Sequence, residues 1–250
     1  MTINQSLAHG LDILLLYDTA TPLLSVAEIS KKLKYSQSKA YRLVRTLTKY
    51  SLLQEDKGTA RYTLGLSALR LGLLAQCRFN IAAIARPFMR ELSQITKETV
   101  FLTAVYGTKG IVLERVESEE PIRYSLFQPG AQISLHAGAS GKILMAYLPE
   151  REWDEIIFKE GLKRYTSNTI TDVDKLKSRL RRIRKKGYAF SDQEVDKDVR
   201  AIAGPILNGL DELLAGLVVG GPAFRISMKR VHELSKLVVQ YARKISSELS

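Results

Sequence analysis

Segment 24–64 places the tightest constraint on the fold, because two short helical patterns in it are followed by a hairpin pattern. Residues 26–33 carry apolar side chains at the spacing of one helix face. Ser25 and Glu28 have the spacing of a capping box, which would begin this helix. After a short break, a second helix is predicted over about residues 37–50. Two short helices joined by a tight turn are typical of a helix-turn-helix.

The second predicted helix has one apolar face and one basic, hydroxyl-rich face. Such a helix suits the major groove of DNA, where Arg42 and Arg45 are the candidates for base-edge or phosphate contacts. The residues before them would fix the register on the DNA backbone. The predicted DNA-contacting residues of this helix and its N-cap are Ser36, Gln37, Ser38, Lys39, Tyr41, Arg42 and Arg45.

Residues 52–64 predict a β-hairpin, because two short strand patterns flank a polar turn that contains Gly58. Lys57, Thr59 and Arg61 lie near its tip and are expected to reach phosphate or the minor groove. A helix-turn-helix followed by such a hairpin indicates a winged DNA-binding domain. The alternative is a packing module whose surface helix happens to be basic; the hairpin and the charge favour DNA.

Net charge supports this interpretation. The chain has 38 Lys and Arg against 26 Asp and Glu, a formal charge of +12, which favours a polyanionic partner. Residues 1–70 hold ten basic against five acidic side chains, and residues 71–97 hold four against one. The remaining 153 residues contribute only +4, so the excess is concentrated where the motif lies.

The compartment and the metal chemistry follow from a few residues. Cys77 is the only cysteine, which excludes an intrachain disulfide and a cysteine-rich zinc site. The N-terminus lacks the basic region of a secretory signal, and the apolar run 11–17 is too short to span a bilayer. We therefore expect a cytoplasmic, reduced protein with no membrane contact. We also expect no metal and no cofactor, because the three histidines are scattered and His9 has no ligand-type neighbours.

The chain divides by pattern into three parts. Residues 1–66 are predicted to form the winged helix-turn-helix domain, and residues 67–97 a long linker helix with breaks at Gly72 and near Pro87. Residues 98–250 mix strands, hairpin turns and helices, which indicates an antiparallel α+β domain. Strands are predicted over about residues 99–106, 110–116, 122–127, 188–190, 201–206 and 213–220. The other helices are predicted over about residues 5–18, 138–146, 151–158, 172–186 and 227–249.

Several ordered blocks, taken together, resemble the IclR family of bacterial and archaeal transcription regulators. The blocks are residues 25–29, 36–47, 62–66, 135–142, 187–194, 199–205 and 220–226. The resemblance runs nearly end to end. It implies a winged helix-turn-helix, a linker helix and a GAF-like antiparallel-sheet domain that binds a small effector, assembled as a homodimer or homotetramer.

Residues 136–142 form a loop that enters a helix, so the first backbone amides of that helix would be unpaired and would favour a carboxylate or another anion. A nucleotide P-loop is excluded, because His136 and Ile143 stand where it requires glycine and Ser or Thr. The family pattern places the effector between this loop, residues 188–194 and the strand near residues 218–220. The candidate effector-binding residues are Ala139, Ser140, Gly141, Arg115, Tyr124, Asp192, Ala201, Val218 and Gly220.

Departures from the family pattern suggest the kind of effector. Many members have polar residues where this chain has Val218 and Gly220, so the strand side of the pocket is expected to be less polar. We therefore expect an organic or aromatic acid with an apolar body. For Asp192 and Glu194, a solvated loop and a binding role both remain open. Phe101, Phe127 and Trp153 are expected in the core.

The helical run 175–186 holds eight basic residues. A solvated helix face is the expected interpretation, and contact with DNA that flanks an operator is the alternative.

An enzyme is not expected, and no catalytic residue is assigned. Ser140 stands near Lys142, but the pattern of a nucleophile elbow is absent. The expected function is a sequence-specific transcriptional regulator that binds a palindromic operator in double-stranded DNA and responds to a small-molecule effector. The alternatives are a DNA-binding module fused to a ligand-free oligomerisation domain, or to a catalytic domain.

Overall fold

The computed structural model describes residues 3–18, 21–78, 81–124 and 127–249. The chain forms two compact units, an N-terminal unit of Met1–Asn80 and a C-terminal unit of Ile81–Ser250. The side chain of Cys77, interpreted above as a lone thiol, lies outside the described part. Within that part, no helix has both the length and the apolar character needed to cross a bilayer.

The N-terminal unit is a winged helix-turn-helix. Its helices are α1 (Gln5–Leu14), α2 (Val26–Leu33), α3 (Gln37–Lys49) and α4 (Leu66–Arg78), and its strands are β1 (Leu24–Ser25), β2 (Leu53–Asp56) and β3 (Arg61–Leu64). The strands form an antiparallel sheet in the order β1-β3-β2. Its core joins the first three helices to the sheet through Ile13, Ile29, Val44 and Leu53, each at most 2% exposed.

Local hydrogen bonds explain why the helix-turn-helix begins and turns where it does. The predicted capping box is present, because Ser25 Oγ accepts from the Glu28 amide at 3.2 Å and Glu28 Oε2 accepts from the Ser25 amide at 2.7 Å. Helix α2 ends at Lys34, whose φ of 56° lies in the left-handed region. Ser30 Oγ then donates to the Tyr35 carbonyl at 2.7 Å, which closes the turn before α3.

The C-terminal unit is an antiparallel sheet with helices on both faces. Its helices are α5 (Ile81–Thr96), α6 (Gly138–Tyr147), α7 (Glu150–Glu160), α8 (Val173–Lys186) and α9 (Met228–Ser247). Its strands are β4 (Thr99–Tyr106), β5 (Lys109–Val116), β6 (Gln132–Ile133), β7 (Ala189–Asp192), β8 (Val199–Leu207) and β9 (Leu213–Pro222). The strand order is β6-β5-β4-β9-β8-β7. The predicted α+β fold class is confirmed.

Strand periodicity separates the two cores of this unit. Because successive side chains point to opposite faces, Val100 and Leu102 pack with α5 and α9, whereas Phe101 packs with α6 and α8. Both faces are covered, which explains why the first five residues of β4 are all buried. Gly216 lies under α6, where an added Cβ would come within 2.8 Å of Ile143 Cγ2. The glycine therefore allows the helix to lie close to the sheet.

Three predictions about elements are wrong in detail. The predicted breaks at Gly72 and Pro87 are absent, since α4 and α5 each run through these residues. Pro87 leaves the Ala83 carbonyl without its helical donor, a cost that the packing of α5 offsets. The strand predicted over 122–127 is not formed in its described part; residues 125 and 126 lie outside the described residues, and the short strand β6 pairs with β5 instead.

Candidate functional site

One candidate site is the exposed face of α3. Ser36 caps this helix, because its side chain accepts a hydrogen bond from the Lys39 amide at 3.3 Å. Side chains three or four residues apart share a helix face, so Ser38, Arg42 and Arg45 form one exposed row. Tyr41 is also exposed, at 52%. This row offers two exposed guanidinium groups of the kind that bind base edges and phosphates.

Lys39 contacts side chains outside α3, which its position on a predicted DNA-contacting face does not indicate. Its ammonium lies 3.3 Å from His9 Nε2 and 4.0 Å from the centroid of the Tyr35 ring. The Tyr35 hydroxyl in turn donates to Asp12 at 2.8 Å. Burial and this hydrogen bond raise the pKa of Tyr35 to about 12. His9 packs against Tyr35 and contacts the Lys39 ammonium, so side chains of α1 and of the turn position Lys39 in the first turn of α3.

The wing presents only part of its predicted contact set. Lys57 is exposed at the tip, and Thr59 closes the turn by donating to Asp56 Oδ2 at 2.6 Å. Arg61 instead donates to Glu28 at 2.7 Å. Hydrogen bonds from Ser25, and then Arg61 itself, hold the pKa of Glu28 below its ordinary value. In this structure Arg61 ties the wing to α2, a structural role that differs from the predicted DNA contact.

The second candidate site is a cavity of about 470 Å³ on the α6 face of the large sheet. Cross-strand register explains why distant residues meet there. Ser191, Ala201 and Gly220 are direct neighbours across β7, β8 and β9, and Val218 opposes Phe101 of β4. Directly opposed residues share one face of a sheet, and all five line the cavity.

The structure brings together six of the nine predicted effector residues. Those that line the cavity are Tyr124, Ala139, Ser140, Ala201, Val218 and Gly220. Residues that line it but were not predicted include Phe101, Phe127, Ser134, Tyr165, Ser191 and Asp196, and the charged Lys109, Glu160 and Lys163. Trp153 lies in the core as expected, whereas Phe101 and Phe127 also form part of the cavity wall. The strand alternation of β4 was the signal that could have placed Phe101.

The other three predicted effector residues do not line the cavity. Gly141 is pressed against the preceding loop, where an added Cβ would lie 2.0 Å from the Ser134 carbonyl oxygen. Arg115 pairs with Glu117 and donates to the Phe127 carbonyl at 3.4 Å, so it supports the cavity wall from outside. Asp192 accepts from Arg200 at 2.7 Å, and this hydrogen bond is the main reason that its pKa lies below the ordinary value.

Aromatic rings form one wall of the cavity. The rings of Phe101 and Tyr124 meet edge-to-face at 5.8 Å, and those of Tyr124 and Phe127 at 6.1 Å. Gly220 leaves room for this arrangement, because an added Cβ would lie 3.3 Å from Tyr124 Cδ1. Burial, with a smaller contribution from Asp196, raises the pKa of Tyr124. The phenol is therefore a neutral hydrogen-bonding group in a largely apolar wall.

The N-terminus of α6 also lines the cavity. Ala139 and Ser140 line the cavity in the first turn, where helix geometry gives their backbone N–H groups no acceptor within the helix. The helix begins without a side-chain cap, and Gly138 donates weakly to Glu194 Oε2 at 3.4 Å. Free amides and the positive end of a helix dipole favour a carboxylate at this position.

A buried ion pair holds this helix in place. Lys142 of α6 is fully buried and pairs with Glu194, which is 6% exposed. Burial lowers the pKa of Lys142, and the charge of Glu194 opposes that effect. The Glu194 carbonyl also accepts from Thr169 at 2.6 Å. Glu194 therefore belongs neither to a solvated loop nor to the cavity lining, the two roles that the sequence left open.

The surroundings of His136 are those of a packed side chain. His136 contacts the Lys163 carbonyl through Nε2 at 3.0 Å, and burial lowers its pKa. In the part of the chain that the structure describes, no group of three or more His, Cys, Asp or Glu side chains could hold a metal ion.

Comparisons with known proteins agree across both units. Residues 75–247 match the family model described as "Bacterial transcriptional regulator IclR C-terminal", and residues 6–57 match the "IclR helix-turn-helix domain". The HTH-type transcriptional regulator BhcR of Paracoccus denitrificans is 33% identical over 97% of this chain and 86% of its own length.

Solved structures share the fold. The IclR of Thermotoga maritima is 31% identical, with a TM-score of 0.71 and 98% of each chain covered. An IclR homolog of Microbacterium hydrocarbonoxydans, crystallised with 4-hydroxybenzoate, has a TM-score of 0.84 at 21% identity. The alignment covers 98% of this chain and 99% of that one.

Replacing Lys142 by Met tests the buried pair. Because Glu194 would keep its charge without its partner, we expect Lys142→Met to lower the free energy of unfolding by about 3–5 kcal/mol. Adding Glu194→Gln should recover at least about half of that loss, because the uncompensated charge is then removed. Lys177→Met is the control, since Lys177 pairs with a largely exposed Asp154 and should cost under about 1 kcal/mol. Urea unfolding followed by circular dichroism compares these three variants with the wild type. If Lys142→Met and Lys177→Met lost the same free energy of unfolding, the assignment of a buried pair would be wrong.

Proposed function

Because the chain belongs to the IclR family of transcriptional regulators, we propose that it binds a palindromic operator as a homodimer and responds to a carboxylate-bearing effector in the α6 cavity. The chain has the family's helix-turn-helix and its effector-binding C-terminal domain. The observation that supports the proposal is the cavity itself, whose lining combines aromatic rings with the first turn of α6, a helix without a side-chain cap. A ligand-free oligomerisation domain would have no need of such a cavity.

The proposed DNA contacts follow from the exposed face of α3. Arg42 and Arg45 read base edges or phosphates, while the residues of the first turn and Tyr41 contact the backbone. Lys57 and Thr59 of the wing reach phosphate or the minor groove. Arg61 acts indirectly, by holding the wing on Glu28. In a two-fold dimer, the two α3 helices enter major grooves about 34 Å apart, or a multiple of that distance.

The proposed effector is an organic acid with an aromatic or apolar body. Its carboxylate would lie at the amides of Ala139 and Ser140, and its body against Phe101, Tyr124 and Val218. The neutral Tyr124 hydroxyl and the Asp196 carboxylate offer partners for a polar group on the body. The 4-hydroxybenzoate complex of the structural neighbour has the same chemical character. Effector binding would then shift the population of dimer geometries and so the affinity for the operator.

The proposed dimer rests on exposed leucines of the N-terminal unit. Helix α4 exposes Leu66, Leu69 and Leu73 by 72%, 58% and 53%, and α1 exposes Leu7 by 63%. Exposed apolar stripes of this kind mark association surfaces. A second copy of the chain is the partner that two-fold recognition of a palindrome requires. A tetramer remains the alternative assembly.

Arg42→Ala tests base reading. We expect the preference for operator over random duplex to fall about 5- to 150-fold, because one good bidentate contact contributes about 1–3 kcal/mol of discrimination. Arg61→Ala is the control. It should lower the melting temperature, because the bond to Glu28 is lost, and it should change the preference for operator over random duplex less than Arg42→Ala does. Fluorescence anisotropy with operator and random duplexes gives both affinities. If Arg42→Ala weakens both by the same factor, Arg42 contacts phosphate and the base-reading assignment is wrong.

Ala201→Phe tests the cavity by filling it from the strand side, and Ala201→Ser is the matched small control. A ligand at about 100 times its dissociation constant stabilises the native state by about 2.7 kcal/mol. We expect an aromatic acid, with 4-hydroxybenzoate as the first probe, to raise the melting temperature of the wild type and of Ala201→Ser. Ala201→Phe should show no rise and should still bind DNA. An undiminished rise in Ala201→Phe would place the ligand elsewhere.

The dimer is tested by Leu69→Asp/Leu73→Asp, measured by light scattering after size-exclusion chromatography. Two carboxylates in an apolar interface lose hydration without partners, so the variant is expected to run as a monomer of 28.0 kDa. Leu210→Asp is the control, since Leu210 is 80% exposed on the β8–β9 turn and should leave the assembly unchanged. A variant that keeps the wild-type mass would contradict this interface.

A further inference from the structure

A second charged surface lies in the C-terminal unit, away from the α6 cavity lining. A groove of about 650 Å³ runs between the end of α8 and the outer face of α9. Four cationic side chains line it, Lys186, Lys236, Arg243 and Lys244. Among the described residues, no Asp or Glu takes part in the lining. We call this surface the α8–α9 groove.

The cations of the groove are not neutralised by ion pairs. Other basic residues of α8 are paired, Lys177 with Asp154 and Arg181 with Glu150. Within the described ranges, Lys186, Lys236 and Arg243 take part in no ion pair, and all three are exposed. Their positive charges are therefore available to a partner.

Neighbouring groups extend the positive surface. Arg184 lies 5.8 Å from the centroid of the Tyr147 ring. Burial raises the pKa of Tyr147, and the positive charges of Arg184 and Arg243 oppose that rise. Asp211 is the acidic side chain of the adjoining cavity, where it faces Arg243 and the same tyrosine. Glu233, one turn before Lys236 on α9, is also exposed but lies outside the groove lining, so the lining itself keeps a net positive charge.

The helix dipole explains the positions of only some of the cations in the α8–α9 groove. Lys186 lies in the last turn of α8, where a cation is stabilised by the negative end of the helix. Lys236 and Arg243 are in the interior of α9, two turns apart on the same side, where no such stabilisation applies. These exposed cations form an excess of positive charge that a polyanion would neutralise.

We propose that the α8–α9 groove binds the phosphate backbone of duplex DNA, as a contact surface additional to the winged helix-turn-helix. An open groove with cations on two helices suits a polymer with regularly spaced charges better than an enclosed small ligand. Duplex DNA carries one negative charge per about 1.7 Å of its axis, and it is the polyanion that this family binds through its helix-turn-helix. The contacts are to phosphate, so this surface contributes affinity without sequence preference.

Lysine acetylation of the full chain tests the contact directly. A random duplex of about 40 base pairs is added at low salt, where phosphate contacts are strongest, and modified lysines are quantified by peptide mass spectrometry. We expect DNA to lower the reactivity of Lys186 and Lys236 several-fold. Lys159 and Lys197, exposed in the same unit but outside the groove, should keep their reactivity.

A charge-matched pair of variants gives an independent measurement. Lys186→Gln/Lys236→Gln/Arg243→Gln removes three charges from the groove, and Arg151→Gln/Lys159→Gln/Lys197→Gln removes three exposed charges elsewhere. Each phosphate contact contributes about 0.9 to the slope of log affinity against log salt. The groove variant should therefore lose up to about 3 from that slope, whereas the control should lose under about 1.

The outcomes separate this inference from DNA binding itself. The inference would be overturned if the two variants had equal slopes. It would also be overturned if the chain bound the DNA while Lys186 and Lys236 kept their reactivity. Protection that appears without DNA and grows with protein concentration would also overturn it, because a second copy would then cover the groove. If the chain bound neither random nor operator duplex, the failure would lie in the proposed function.

Discussion

The ion pair between Lys142 and Glu194 fixes the position of the α6 N-terminus, and the cavity depends on that position. Two buried charges gain little net stability, because their attraction roughly offsets the cost of removing them from water. What the pair supplies is geometry: it joins the second turn of α6 to the segment after β7, and Glu194 also accepts from the Gly138 amide. The Thr169 hydroxyl holds the same segment through the Glu194 carbonyl. The amides of Ala139 and Ser140 are thereby held at the edge of the cavity.

Because side chains alternate along each strand, the two faces of the large sheet have different roles. One face of β4 and β9 packs with α5 and α9, and the other face supplies Phe101, Val218 and Gly220 to the cavity. Small residues recur where the backbone must come close, at Gly216 under α6 and at Gly220 beside Tyr124. A ligand that fills the cavity therefore contacts the central strands and α6 together. The helix-turn-helix is stabilised separately, by its own capping box and by the Arg61–Glu28 pair.

Local signals in the sequence predicted most of the fold. The capping box, the amphipathic helices and the hairpin depend on neighbouring residues, and the structure contains each of them. Contacts between distant residues could not be predicted from the sequence. Lys142 and Glu194 are 52 positions apart, and nothing near either residue indicates the other. Arg61 shows the same limit, because a basic residue near a wing tip is read as a DNA contact until Glu28 of α2 is seen beside it. Strand register, once known, adds Phe101 to the cavity wall, besides the core position that its residue type favoured.

The central claim is that this chain is a sequence-specific DNA-binding regulator, and selection of genomic fragments tests it most directly. The purified protein is incubated with sheared genomic DNA at physiological salt, and the enriched fragments are footprinted. The account predicts a discrete palindromic footprint, with half-sites separated by about one helical turn or a multiple of it. Recovery of random fragments, lost steeply as salt rises, would show binding driven only by counterion release and would contradict the account.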